Sequence, residues 1–321
     1  MAITGPSSFV PTVNEFLAHW LQTNTFLGGG GPLVLGDGTV IADLTVYRDS
    51  LMTYGSSIAG KLNDVEIARG NLDIQKAALI GRLGEFNRKV RGFLSQTAFV
   101  SALPEVPPGS SSVATIVDSL DDMATLWVKI NAATIPGFTG PLSLLGGYLV
   151  AAFNTDLATL KAASTTWQNA VQDVKLERER RNDLQDIVQP IVRDYRAAIE
   201  GTFAPTDALV ASLPRLTPEP GSTPDAVTAN IVWDALLGQA KITFTGSDNP
   251  NLSHFEIRFC AGPNYSSNDE SVIGSVGPSE TREFLTDSGL TSPGSTATFK
   301  VYVVLTTGNE KGSNTVTVTR P

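Results

Sequence analysis

Few residues in this chain have the types and spacing that chemistry needs. It holds two histidines, His19 and His254, and one cysteine, Cys260. A transition-metal site needs several His, Cys or carboxylate ligands at short spacing. His19 flanks an apolar helical stripe and His254 starts a strand-like run, and neither has such a neighbour. Packing or surface placement is the expected role of both, and no metal or cofactor is expected. Cys260 follows Phe255, Ile257 and Phe259, so a buried structural thiol is expected rather than a nucleophile. A lone cysteine also makes no internal disulfide.

Other constellations are equally sparse. Asp121 and Asp122 are adjacent on a predicted helix, where side chains diverge, so solvation is expected over acid-base work. Gly28–Gly31 lacks the Lys-Ser/Thr of a phosphate loop and reads as a hinge. Asp248-Asn249-Pro250-Asn251 offers oxygens to a calcium ion, but a turn between strands accounts for it better. The mixed-sign run Glu177-Arg178-Glu179-Arg180-Arg181 reads as a solvated helix face. If the C-terminal region binds a ligand, Tyr265, Ser266 and Asn268, in the Ser/Asn-rich stretch ending at Glu270, are the natural contact surface. No catalytic residues are assigned, and the chain is not expected to be an enzyme.

The elements that carry these residues are more legible. Apolar residues at alternating steps of three and four run from Leu44 to Val100 and from Leu149 to Phe203. The first stripe uses Leu44, Tyr47, Leu51, Tyr54, Ile58, Leu62, Val65, Arg69, Leu72, Leu79, Leu83, Phe86, Val90, Phe93, Thr97 and Val100. The second uses Leu149, Phe153, Leu157, Leu160, Trp167, Val171, Val174, Leu184, Ile187, Ile191, Tyr195 and Ile199. Each predicts one helix of ~80–90 Å at 1.5 Å per residue. Asp43 is the expected N-cap of the first, and the prolines from Pro104 onward are expected to end it. An extra step of four at Ile58–Leu62 reads as a stutter. Gly55, Gly60, Gly70, Gly81, Gly84 and Gly92 lie inside it, each costing about 1 kcal/mol against alanine. Pro190 predicts a kink near Asp186.

A shorter helix is expected over 113–131, with Ile116, Leu120, Met123, Trp127 and Ile130 on one face. Near the N-terminus a helix starting at Pro11-Thr12 precedes a hairpin, Leu33–Leu35 and Thr39–Ile41 around a Gly-Asp-Gly turn. Residues 214–225, with four prolines, form a semi-rigid linker. Beyond it the period shifts to two, predicting seven short strands over 226–321.

In that region Phe255-Glu256-Ile257-Arg258, Gly289-Leu290, Pro293-Gly294-Ser295, Val301–Val304 and Gly308–Ser313 together resemble a fibronectin type III domain. Ala297 stands where that family has its corner tyrosine, and Phe244 where it has its core tryptophan, with Trp233 placed to fill that space. The resemblance implies a spacer or binding module; fold by itself does not set function. The expected fold class is multi-domain, α plus all-β: a long antiparallel α-helical hairpin or bundle followed by a seven-stranded fibronectin type III-like β-sandwich. The expected divisions are 1–42, an N-terminal helix and hairpin; 43–213, the long-helix bundle; 214–225, the linker; and 226–321, the sandwich.

Composition narrows the function. With 41% hydrophobic and 17% charged residues the chain is an ordered globular type. A net charge of −9 argues against a nucleic-acid partner, although a local basic patch stays open. No apolar run is long enough for a membrane span. The opening residues lack the basic and apolar regions of a usual signal peptide. Synthesis as a soluble cytosolic protein is therefore expected, with an extracellular or virion assembly left open as its destination. The leading expectation is a structural subunit that self-assembles through its long helices into a filament, tube or phage-like particle. Copies of itself are then its partners, and the sandwich lies outside. The alternative is a binding protein whose sandwich captures a glycan or protein on a helical stalk.

Overall fold

The computed structural model describes residues 6–109, 111–217, 223–267, 269–290, 293–307 and 309–321. The chain divides into two compact units. One comprises Met1–Lys61, Asp173–Leu290 and Ser295–Pro321; the other comprises Leu62–Gln172 and Thr291–Gly294. Two 53-residue helices, α2 (Ile41–Phe93) and α4 (Val150–Thr202), each contribute a stretch to both.

In the first unit, α1 (Pro6–Leu27) packs with the first part of α2 and the last part of α4. Helix α1 begins before the expected start, with Pro11 inside it. Thr12 Oγ1 donates to Ser8 O at 2.9 Å beside the position where proline has no N–H to give. The glycines end the helix in a single 3₁₀ turn, Gly28–Gly30, with Gly31 at φ 87°. The expected hairpin is not there. Its turn forms, with Gly38 N–H on Leu35 O and Leu35 N–H on Thr39 O, both 2.9 Å. No strands flank it, because Asn24 Oδ1 takes the Leu33 N–H at 2.8 Å and Ile41 already starts α2.

Asp43 is not the N-cap of α2. It sits three residues inside the cap, and its Oδ2 accepts the Val40 N–H at 2.9 Å, which is the carboxylate half of a capping box. The core of this bundle is aromatic: Trp20 stacks on Tyr195 at 4.6 Å and Phe16 meets the same ring edge-on at 6.1 Å. On α4 the buried set is Val188, Ile191, Val192, Tyr195 and Ile199, while the expected Ile187 is half exposed. A helix facing two neighbours needs a wider apolar stripe than a two-helix seam, and that widening moves the stripe round. The helix continues through Pro190.

In the second unit the last part of α2, α3 (Val113–Ala132) and the first part of α4 enclose another core. Ser112 caps α3 by accepting the Thr115 N–H at 3.1 Å. Ile116, Leu120, Met123, Trp127 and Ile130 are all buried, as the sequence periodicity requires. Trp127 lies between Phe86 and Phe153, and its indole N–H donates to Leu142 O at 2.9 Å. Helix α2 stops at Phe93 rather than near Pro104, so Thr97 and Val100 lie beyond it. Thr97 turns extended and its hydroxyl donates to Leu94 O at 2.7 Å, a local bond that competes with the helix.

A short α5 (Ala208–Ala211) precedes the sandwich, and part of the expected linker lies outside the described residues. The strands are β1 (Ala229–Asp234), β2 (Gln239–Phe244), β3 (Leu252–Ala261), β4 (Ser271–Val276), β5 (Glu283–Thr286), β6 (Thr296–Leu305), β7 (Glu310–Gly312) and β8 (Val316–Thr319). All pair antiparallel, in sheets β1-β2-β5 and β4-β3-β6-β7, with β8 also on β6. Among the described residues there are eight strands, not seven. The additional strand is β7, which pairs with β6 ahead of the expected last strand, β8; between them Ser313 Oγ, a side chain rather than a carbonyl, accepts the Val301 N–H at 3.0 Å and interrupts the ladder. Phe244 takes the core place facing Phe255 at 5.0 Å; Trp233 packs at the margin, under the Arg320 guanidinium.

Candidate functional site

The residues with catalytic potential are committed to structure. His19 is buried; its Nδ1 lies 2.6 Å from the Tyr195 hydroxyl and its Nε2 2.9 Å from Leu209 O. That pattern fixes a ring with the proton on Nε2, donating to the carbonyl, while the tyrosine donates to Nδ1. Burial pushes the Tyr195 hydroxyl up to about 12. His254 contacts Ser253 Oγ at 3.1 Å. Cys260 is buried, its thiol donates to Ser266 O at 3.3 Å, and burial raises its pKa, which suits packing rather than attack. Asp121 pairs with Lys161 at 2.9 Å, and Asp122 is exposed. Asp248 and Asn249 line a polar hollow beside Asp225. Among the described residues no group of three His, Cys, Asp or Glu stands close enough to hold a metal.

The densest electrostatic feature is on the five-stranded sheet and was missed in the sequence. Arg258 on β3 is almost fully buried among three carboxylates. Its Nη1 and Nη2 fork onto Glu310 at 3.0 and 2.5 Å, Nη1 also reaches Glu270 at 2.8 Å, and Nε reaches Glu256. Its face lies 3.9 Å from the Tyr302 ring. Burial pulls the Arg258 pKa down, but Glu310, then Glu256 and Glu270, outweigh it and hold the guanidinium charged. The only sequence signal was the alternation Glu256-Ile257-Arg258, which puts both charges on one strand face.

This network decides where the three contact residues fall. The Tyr265 hydroxyl donates to Glu270 at 2.5 Å and its ring lies under the Lys300 ammonium, so the side chain points into the network. Burial, then Glu270, pushes its pKa up. Ser266 is half buried and its carbonyl holds the Cys260 thiol. Asn268 lies outside the described residues. The Glu177–Arg181 run is only half solvated. Arg178 bonds Asp269 at 3.4 Å and Ser271 Oγ at 3.2 Å, and burial lowers the pKa of both Arg178 and Arg181.

The long helices also carry apolar side chains with nothing over them. In the first unit these include Val46 and Met52 on α2 and Leu176 and Ile187 on α4. In the second, Ile67 and Ile74, one heptad apart, are 62% and 66% exposed. A Cβ added at Gly55, Gly60, Gly70, Gly81 or Gly92 would meet nothing within 4 Å. Packing within this chain therefore does not require glycine there, although each costs about 1 kcal/mol of helix propensity.

No protein-family model matches the chain, and no curated protein matches it either. Solved structures match under a third of the chain. A Fn3-like protein from Clostridium thermocellum is 18% identical over 31% of this chain and 96% of its own, with a TM-score of 0.25. Pectate lyase PelI from Erwinia chrysanthemi is 19% identical over 29% of this chain, and Pel3 from Pectobacterium carotovorum 13%, both at TM-score 0.25. The chain spans about 28% of the length of the first of these lyases. At a TM-score of 0.25 these matches carry no argument about this chain. The strand pairing described above, three strands facing a sheet centred on β3 and β6, makes the C-terminal domain fibronectin type III-like.

Proposed function

We propose that this protein is a non-enzymatic structural subunit that self-assembles through its long helices into a filament, tube or phage-like particle, with the sandwich displayed outside. One observation carries this reading: two 53-residue helices keep large apolar side chains and unneeded glycines on faces that nothing among the described residues covers. Exposed isoleucine costs solubility in a monomer and gains about 25 cal/mol per Å² when a neighbour buries it. Glycine allows a neighbouring backbone to come close. Among the described residues no helix is long and apolar enough to cross a membrane, so lipid is not the natural cover. Light scattering coupled to size exclusion, with negative-stain electron microscopy, tests it. Ordered oligomers are expected; a monodisperse monomer at high concentration, without particles on the grid, overturns it.

The second reading, a sandwich that captures a glycan or protein, draws on one feature. The β1–β2 turn is held by Asp234 Oδ1 on the Leu236 and Leu237 N–H groups, and it presents Leu236 98% exposed. Ligand-binding screens on the monomeric fraction distinguish the two readings.

A further inference from the structure

In the second unit, α2 turns a second stripe outward, away from its core. Between Asp64 and Arg88, both exposed, the exposed residues of α2 are Ile67, Asn71, Ile74, Ala77, Ala78 and Gly81, and none is charged. A helix face left to water normally carries charge. From Asp64 to Gly81 these residues, Ala77 apart, recur at alternating steps of three and four, and Arg88 follows one heptad later. That period keeps a single stripe against a partner helix along its length.

The two ends of the stripe have opposite charge. Asp64 and Arg88 make no ion pair or hydrogen bond among the described residues. An uncharged stripe closed by unlike charges is complementary to itself when two copies run antiparallel. A two-fold axis at the height of position 76, midway between the ends, sets each Asp64 beside Arg88 of the other copy. A parallel pair sets aspartate on aspartate and arginine on arginine, which repel.

The same axis matches the residues between. Ile74 falls opposite Ala78, large against small, and Asn71 opposite Gly81. Ile67 falls at the level of Glu85, whose carboxylate turns aside to Arg82 at 3.0 Å and to the Leu145 N–H. The second of these bonds brings Leu145, 77% exposed, to that level, so Ile67, 62% exposed, finds an apolar side chain there.

We propose that residues 64–88 of α2 dock on the same segment of a second copy, antiparallel, about a two-fold axis at position 76. This pairing rests on the self-assembly reading and gives it a partner segment, a direction and a register. It lies wholly within the second unit of each copy and closes a dimer, so any longer assembly grows through other faces.

Charge reversal in the full chain tests the register. Association constants come from analytical ultracentrifugation over a dilution series, with circular dichroism to check folding. Asp64→Arg and Arg88→Asp each set like charges together, and each weakens association at least about tenfold. The double variant exchanges the two charges and restores the wild-type constant to within about threefold. Disulfide trapping tests the direction. Asn71→Cys combined with Gly81→Cys joins two copies on oxidation, because the antiparallel register brings these positions within the ~7 Å a disulfide tolerates. Asn71→Cys by itself does not, since its copies then stand ~15 Å apart along the helices. Oligomers that ignore either reversal, a double variant that restores nothing, or trapping by Asn71→Cys alone overturns this pairing and leaves self-assembly through another face standing. A wild type that stays monomeric at every concentration overturns both.

Discussion

Arg258 and Glu310 meet fork to fork on the face of the five-stranded sheet opposite the sandwich core, with Nη1 3.0 Å from Oε1 and Nη2 2.5 Å from Oε2. The pair joins β3 to β7 across β6, and so ties down the short strand created where the ladder breaks at Ser313. Breaking a buried pair leaves a charge unpaired and costs about 3–5 kcal/mol, whereas exposed pairs are worth about 1 kcal/mol or less. Glu310→Ala is therefore expected to lower stability in urea by about 3 kcal/mol. Lys241→Ala, which removes the half-exposed 2.7 Å pair with Glu283, should cost under about 1 kcal/mol.

The Tyr195 hydroxyl supplies the proton that His19 Nδ1 accepts. Tyr195→Phe leaves that nitrogen buried and unmet, a loss of about 1–3 kcal/mol. The pH dependence has a definite sign. The folded pKa, about 12, lies above the ordinary value of 10.0, so this contribution is complete below pH 10 and is lost as pH rises from 10 to 12. Subtracting the variant's alkaline stability curve from the wild type's isolates that fall; no difference in slope over this window would contradict it.

Gly274 on β4 faces the Phe284 ring so closely that an added Cβ would lie 2.5 Å from Cε2 and Cζ. Gly274→Ala is expected to destabilise the protein by about 1–3 kcal/mol through overpacking. Pairing it with Phe284→Leu should restore part of the loss, measured as the midpoint of chemical denaturation.

Ile67 and Ile74 separate assembly from folding. Replacing both with aspartate leaves the buried set of α2 untouched, so circular dichroism should show unchanged helix while light scattering shows loss of oligomers. Gly70→Ala bears on the same face from the other side. It should raise the thermal stability of the monomer by up to about 1 kcal/mol, since its Cβ meets nothing. If copies approach closely at that face, it weakens their association.

The sequence by itself determined the elements whose pattern is repeated many times. The two long helices, the face of α3 and the antiparallel strands around Val301–Val304 follow from periods of 3.6 and 2, which any buried face must obey. The break at Gly28 also follows locally, because positive φ there needs no partner. What tertiary structure decided was everything set by a competitor distant in sequence. Asn24 took the Leu33 N–H and cancelled a hairpin that its turn residues favoured. A third helix on each core widened the stripe of α4 and moved Ile187 out. Glu310, 52 residues from Arg258, turned an ordinary strand arginine into the centre of a buried network and drew Tyr265 inward with it. Such outcomes lie beyond sequence spacing, because burial and partnership join chain segments that spacing does not relate.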